Sequence, residues 1–311
     1  ILNPRWVTQG VYQILNDEDL MRRKGRLDRA DLDDILDPVT YPKSKQPFIL
    51  DMMRKFELCF AFNDDGERFL VPDLLTKEAP ETGDWRDTLG FQYRYDVLPG
   101  SVFSRFVVRM QAYLYEDTLW RHGVVVGDRE NDALVEADQE ERRVVIWVRG
   151  PEITRRHLLS IIRYHFDEIH RSISGMQVDE LVPLPDHPEV TVSRRHLLNL
   201  RAMGEKRFVP SGLRQHRDVK SLLDRVDLPQ EIREAVRLRQ LLVERLDLSE
   251  LRALCRELSV DFGSLSSATK SGKAQELVTY LSRGERLEEL MRAGQWLRPD
   301  IPWRPRFSAA G

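Results

Sequence analysis

The β-rich runs of this 311-residue chain stop near Leu213, and every apolar pattern beyond that point has helical spacing. A chain divided in this way needs at least two cores of different construction, one that contains strands and one built from helices alone.

Before that division, the order of elements is itself restrictive. Asn3-Pro4 reads as a helix N-cap with proline in the first turn, where a missing N–H costs nothing. Trp6, Val7, Val11, Ile14 and Leu15, with Gly10 among them, then fall on one helical face. "GRLDRADLDDIL" predicts a short strand at Gly25–Leu27 and a helix begun by Asp28 or Asp31. A third helix, from about Lys45 to Phe56, should bury Phe48, Ile49, Met52, Met53 and Phe56. "ELCFAFNDDGERFLVPDLL" places two β-rich runs around Asp65-Gly66, a strong short-range hairpin signal. Helix, short strand, helix, helix and hairpin is the order of elements in a winged helix. The polar stretch 76–90 reads as a boundary.

Strands are expected next at 91–98, 119–127, 132–138 and 142–149, with a further one in "MQVDELVPLP". Helices are expected from Ser101 to Tyr115 and from Thr154 to Ser174. Strands joined mostly by hairpins, with helices covering one face, imply an α+β layer with a mainly antiparallel sheet. After 213, short amphipathic segments such as "IREAVRLRQLLVERL" and "RLEELMRAGQWL" predict a bundle of five or six helices, with Trp303 anchoring the end of the chain. The expected domains are 1–80 winged-helix-like, 81–212 α+β, 213–230 a linker, 231–303 a helical bundle and 304–311 a tail.

Composition narrows the function classes. Hydrophobic residues make up 41% and charged residues 32%, values of an ordinary globular protein. No apolar run reaches the ~18–20 residues of a membrane span, and no membrane partner is expected. A chain that begins with Ile1 and carries no signal-peptide pattern reads as a piece of a longer cytoplasmic protein. Cys59 and Cys255 are its only cysteines and read as core thiols. Counting Lys, Arg, Asp and Glu, residues 1–90 carry a net −5, 91–210 carry −1 and 211–311 carry +3. Nucleic acid is therefore not an expected partner, and the acidic Asp31, Asp33 and Asp34 beside the third helix argue further against DNA. A winged-helix transcription regulator stands as the alternative reading.

No catalytic or metal-binding constellation emerges. "SSATKSGKAQELV" has the Gly-Lys pair of a phosphate-binding loop, but Ser267 replaces the earlier glycine and Ala274 the required Ser/Thr. Gly272 is better read as marking a helix start. His165 and His170 are five apart on a helix and point in different directions.

Five stretches, "NPRWVTQGVYQILND", "FILDMMRKFELCF", "RFLVPDLL", "YDVLPGSVFSRFVVRM" and "LWRHGVVV", occur in one order that closely resembles the COR domain of Roco proteins. The resemblance covers residues 1–210 and implies two halves, COR-A and COR-B, behind a Ras-like Roc GTPase domain. It implies no enzyme activity and no cofactor in this chain; GTP or GDP with Mg would belong to the upstream domain. It implies packing on that domain through Val97, Leu98 and Pro99, and a homodimer through COR-B. Arg105 and Arg109, i and i+4 on one helix, are candidates to pair with acidic groups at an interface. Trp120-Arg121 reads as a structural strand start. The segment from about 231 to 303 is similar to bacterial effector-associated, death-like domains, which implies an effector protein as partner.

Overall fold

The computed structural model describes residues 4–62, 66–128, 130–267 and 269–304, the side chains of Glu116 and Asp117 excepted. The Asn3 cap, Asp65 of the expected hairpin turn and the tail beyond Arg304 lie outside these residues. The chain forms two compact units, Ile1–Val226 and Asp227–Gly311.

The first unit opens with α1 (Pro4–Leu15), α2 (Glu18–Arg22), β1 (Arg26–Asp28), α3 (Leu32–Ile35), α4 (Gln46–Lys55), β2 (Phe60–Ala61) and β3 (Arg68–Leu70). The three strands make an antiparallel sheet in the order β1-β3-β2. Its core gathers Ile14, Leu27, Tyr41, Ile49, Met53 and Phe69. Gly10 lets α1 approach closely, because a Cβ there would lie 2.9 Å from the Tyr41 ring. Tyr41 in turn donates to the Trp6 carbonyl at 2.8 Å. On α4 the buried positions are Gln46, Ile49, Leu50 and Met53, a strict i, i+3, i+4, i+7 stripe. Phe48 and Met52 are only half-buried, and Phe56 is 57% exposed. Phe56 is the C-cap, so it has left the helical stripe that the sequence pattern assigned it to.

A larger layer follows: β4 (Leu89–Tyr95), α5 (Gly100–Arg109), β5 (Leu114–Trp120), β6 (Gly123–Gly127), β7 (Asp132–Asp138), β8 (Arg143–Arg149), α6 (Arg155–Ser172), β9 (Val178–Pro183), β10 (Thr191–Ser193), α7 (Arg194–Ala202), β11 (Arg207–Phe208), β12 (Arg217–Asp218) and α8 (Val219–Val226). Seven strands form one antiparallel sheet, ordered β10-β9-β4-β8-β7-β6-β5. Period-two alternation sorts its side chains. Phe91, Ile146, Val135 and Val124 form one cross-strand row, all fully buried. The next row, Gly90, Trp147, Leu134 and Val125, faces the other way and joins Trp120 and Trp85 in a satellite cluster.

Three expectations fail here for identifiable reasons. The stretch 119–127 is two strands, not one: Trp120 ends β5, and its indole folds over Gly123, where a Cβ would fall within 1.9 Å of the ring. The first helix of this layer stops at Arg109, because Leu114 pairs with Val126 at the sheet edge; tertiary pairing overrides the helical pattern. The stretch 213–230 is also no mere linker. Val219, Leu222, Leu223 and Val226 of α8 are buried within the first unit, and their spacing is a complete helical stripe.

The second unit contains α9 (Gln230–Arg245), α10 (Leu248–Glu257), α11 (Lys270–Arg283) and α12 (Leu287–Leu297); with α8 the described residues after 213 hold five α-helices, of which four make the bundle and one belongs to the first unit. A capping box of Asp247 and Glu250 starts α10, and Thr269 caps α11 by accepting from the Gly272 N–H. Trp303 is fully buried against the bundle. A Cβ on Gly294 would lie 2.4 Å from its ring, and its indole N–H donates to the Arg298 carbonyl at 2.9 Å. Arg237 donates to the carbonyls of Pro302 and Trp303.

Candidate functional site

The first unit has a charged joint between its helical part and its large sheet layer. Glu57 follows α4 and adopts φ +59°, a left-handed conformation that a non-glycine residue rarely takes. That turn aims its carboxylate at α5, where Arg105 Nε lies 2.6 Å from Oε2 and Arg109 Nη2 lies 2.6 Å from Oε1. Arg105 also donates to Ser172 Oγ at 2.8 Å, so α6 joins the same contact. The three charged side chains are between 13% and 20% exposed, and charge-assisted bonds of this kind are strong where water is partly excluded. A second brace runs through Arg121, whose Nε donates to the Leu75 carbonyl at 3.1 Å.

Behind the joint, one carboxylate occupies the helix-facing side of the sheet. Glu180 of β9 stands opposite Tyr93 and is bound by Arg163 at 3.1 Å and Arg194 at 2.8 Å. Burial alone would raise Glu180, but the two guanidinium groups outweigh it and hold the carboxyl below its usual range. Asp167, on α6, is pushed up to about 6 by burial and by the Glu180 charge. Burial pushes His165 down to about 3 and His170 down to about 4. His170 Nε2 lies 2.9 Å from the Tyr95 hydroxyl. The fully buried Tyr93 hydroxyl has no hydrogen-bond partner among the described residues. This cluster has structural logic but no nucleophile or metal set; among the described residues no group of three or more His, Cys, Asp or Glu could hold a metal ion.

Family models match the chain in three consecutive blocks. Residues 1–75 match the COR-A domain, described as C-terminal of Roc, and residues 86–225 match the COR-B domain, described in the same way. Residues 238–299 match effector-associated domain 7. The chain is a Roco COR module with an effector-associated domain behind it. Among curated relatives, a probable serine/threonine-protein kinase, pats1, of Dictyostelium discoideum is 24% identical over 165 residues, covering 48% of this chain and 5% of that protein. Two Roc-COR-CHAT proteases are also similar. One, from an unknown prokaryotic organism, is 25% identical over 49% of this chain and 15% of its own length. The other, from Runella zeae, is 22% identical over 51% and 17%. The chain thus spans less than a fifth of the length of these relatives. A solved structure of Methanosarcina barkeri Roco2 RocCORdC bound to GDP is 41% identical over 24% of each chain, with a TM-score of 0.23.

Within the COR module, Arg105 and Arg109 converge on Glu57, a residue of the same chain. Arg105 and Arg109 belong to COR-B and Glu57 to COR-A, so the pair joins the two halves. Val97 is 72% exposed, Leu98 is buried and Pro99 is the half-buried cap of α5. Trp120-Arg121 closes a strand rather than starting one. Nothing in the sequence marks Glu57 beyond the need of two arginines at i, i+4 for a carboxylate. In the effector-associated domain, Lys273 of the loop-like "SGK" donates to the Leu265 carbonyl at 2.5 Å and sits 4.7 Å from the Phe262 ring, a structural role.

Proposed function

We propose that this chain is a non-catalytic coupling module: it packs on a Roc GTPase domain, links that domain's nucleotide state to dimerisation through COR-B, and passes the state to an effector protein through the C-terminal bundle. GTP or GDP with Mg belongs to the Roc domain in this reading, and no cofactor belongs here. The observation that carries it is the succession of COR-A, COR-B and an effector-associated domain within one chain. The Glu57 joint supports it, since a signal needs COR-A and COR-B to move as one body. The element order α1-α2-β1-α3-α4-β2-β3 is that of a winged helix with one added short helix, α2, and we assign COR-A to that class. DNA recognition by α4 is disfavoured, because Lys43 pairs with Asp33 at 2.6 Å and Arg54 faces Asp51 at 3.8 Å. The four-helix C-terminal bundle supports a death-like interaction domain. The thiols Cys59 and Cys255, both buried and raised by burial to about 12 and about 11, suit a reducing cytoplasm.

The exposed Val97 beside Leu98 and Pro99 is the proposed Roc contact. The test is titration of the chain with a Roc domain loaded with GDP or with a non-hydrolysable GTP analogue, alongside light scattering across a range of concentrations. Affinity that differs between the two states, lost in Val97→Asp, and a dimer that persists at high salt are the expected results. Equal affinity in both states with a monomer throughout would sink the reading.

A further inference from the structure

We propose that the segment formed by α7, the β11–β12 hairpin and the start of α8 docks the chain onto an anionic lipid surface. Between Arg194 and Lys220 the chain carries eight Lys and Arg against two carboxylates, an excess hidden when charge is summed over longer segments. Three of these cations are engaged on the body of the domain: Arg194 with Glu180, Arg195 near Asp179 at 3.5 Å, and Arg217 with Asp186 at 2.5 Å. The other five, Arg201, Lys206, Arg207, Arg214 and Lys220, are exposed and have no carboxylate within ion-pair distance among the described residues. Clusters of this size are attracted to anionic headgroups, each cation adding to the partition and salt weakening it.

Two apolar side chains distinguish the lipid reading from other polyanions. Met203 is 77% exposed and Val209 45% exposed, both within the basic stretch. Apolar contact joined to basic charge is the pairing that peripheral attachment requires. Single-stranded nucleic acid would need an exposed aromatic platform, and the one Phe, Tyr or Trp here, Phe208, is half-buried with its ring against His196 at 5.9 Å. The segment is also held in place. Glu205 N–H donates to the Leu200 carbonyl at 2.9 Å around Gly204 at φ +81°, which fixes Met203 at the end of α7. Val219 N–H donates to the Lys206 carbonyl at 3.0 Å and Leu213 N–H to the Pro210 carbonyl at 3.1 Å. Binding therefore orders little that is not already ordered.

The test is co-sedimentation of the 311-residue chain with vesicles of phosphatidylcholine alone or with about one third phosphatidylglycerol. Binding should need the anionic lipid and fall steeply with added salt. The exposed triple variant K206Q/R207Q/R214Q should lower the partition by roughly tenfold or more. Met203→Ser should lower it a few-fold without altering the salt dependence. The variant K24Q/K55Q/K77Q removes the same charge from other exposed positions and should bind as the parent does. Equal loss in that control would reduce the effect to net charge and overturn the proposal. So would absence of vesicle binding, or tight binding of a DNA duplex that the first triple variant abolishes while vesicles are ignored.

Discussion

Glu57 serves two arginines from a backbone conformation that suits glycine, and those two facts pull a substitution in opposite directions. Glu57→Ala keeps the unfavourable φ and leaves two largely buried guanidinium groups without their carboxylate; the first unit should lose about 2–3 kcal/mol. Glu57→Gly loses the same bonds but relieves the backbone, and should be milder by about 1 kcal/mol. Urea unfolding of both variants measures the difference, and a Gly variant no better than Ala would remove the conformational half of the account. Tyr93→Phe deletes a buried hydroxyl that lacks a partner, so it should be neutral or stabilising by up to about 1 kcal/mol, where removal of a satisfied buried hydroxyl would destabilise. At this scale the arginine pair was legible from its spacing and the carboxylate was not. Its identity depends on a turn that brings residue 57 beside residue 105, and no local pattern encodes that approach.

Among elements, α12 and the segment after it act as one. Gly294→Ala would ordinarily favour a helix by about 1 kcal/mol, but here the new methyl meets the Trp303 ring and should cost about 1–3 kcal/mol instead. Trp303→Ala should cost about 3–5 kcal/mol. With the ring gone, the same Gly294→Ala change should become stabilising, and this reversal of sign in thermal unfolding is the diagnostic result. The elements most legible in the sequence were those with long, uninterrupted periods: α6, β7 and β8 lie within a residue or two of expectation. The β5–β6 hairpin was hidden because Arg121-His122 is not a turn-forming dipeptide, and the space that permits the turn comes from Gly123 beneath Trp120. Helix α8 is only eight residues long, and its stripe does not tell which core it joins.

For the molecule as a whole, acid is the informative stress. His165 and His170 sit below their unfolded values, so each contributes stability that is complete above about pH 6.5 and is lost as pH falls toward 4. Asp167, raised to about 6, acts oppositely: the folded state holds its proton more tightly, so stability is gained on acidification from about 6 to 4. Two histidines against one aspartate leave a net loss on the order of 3 kcal/mol over that range. Urea midpoints across it should fall, His170→Phe should flatten the fall and Asp167→Asn should steepen it. A rise in stability on acidification would contradict this assignment.

The buried Trp303 bears on how the second unit would respond to mechanical load. Tension arriving along the backbone from the C-terminal side of Arg304 first meets a ring locked over Gly294, an indole N–H tied to Arg298 and two carbonyls gripped by Arg237. No turn of α12 can unravel from that end until this plug is drawn. A pull on that side should therefore meet an all-or-none release in place of the gradual peeling of a helix.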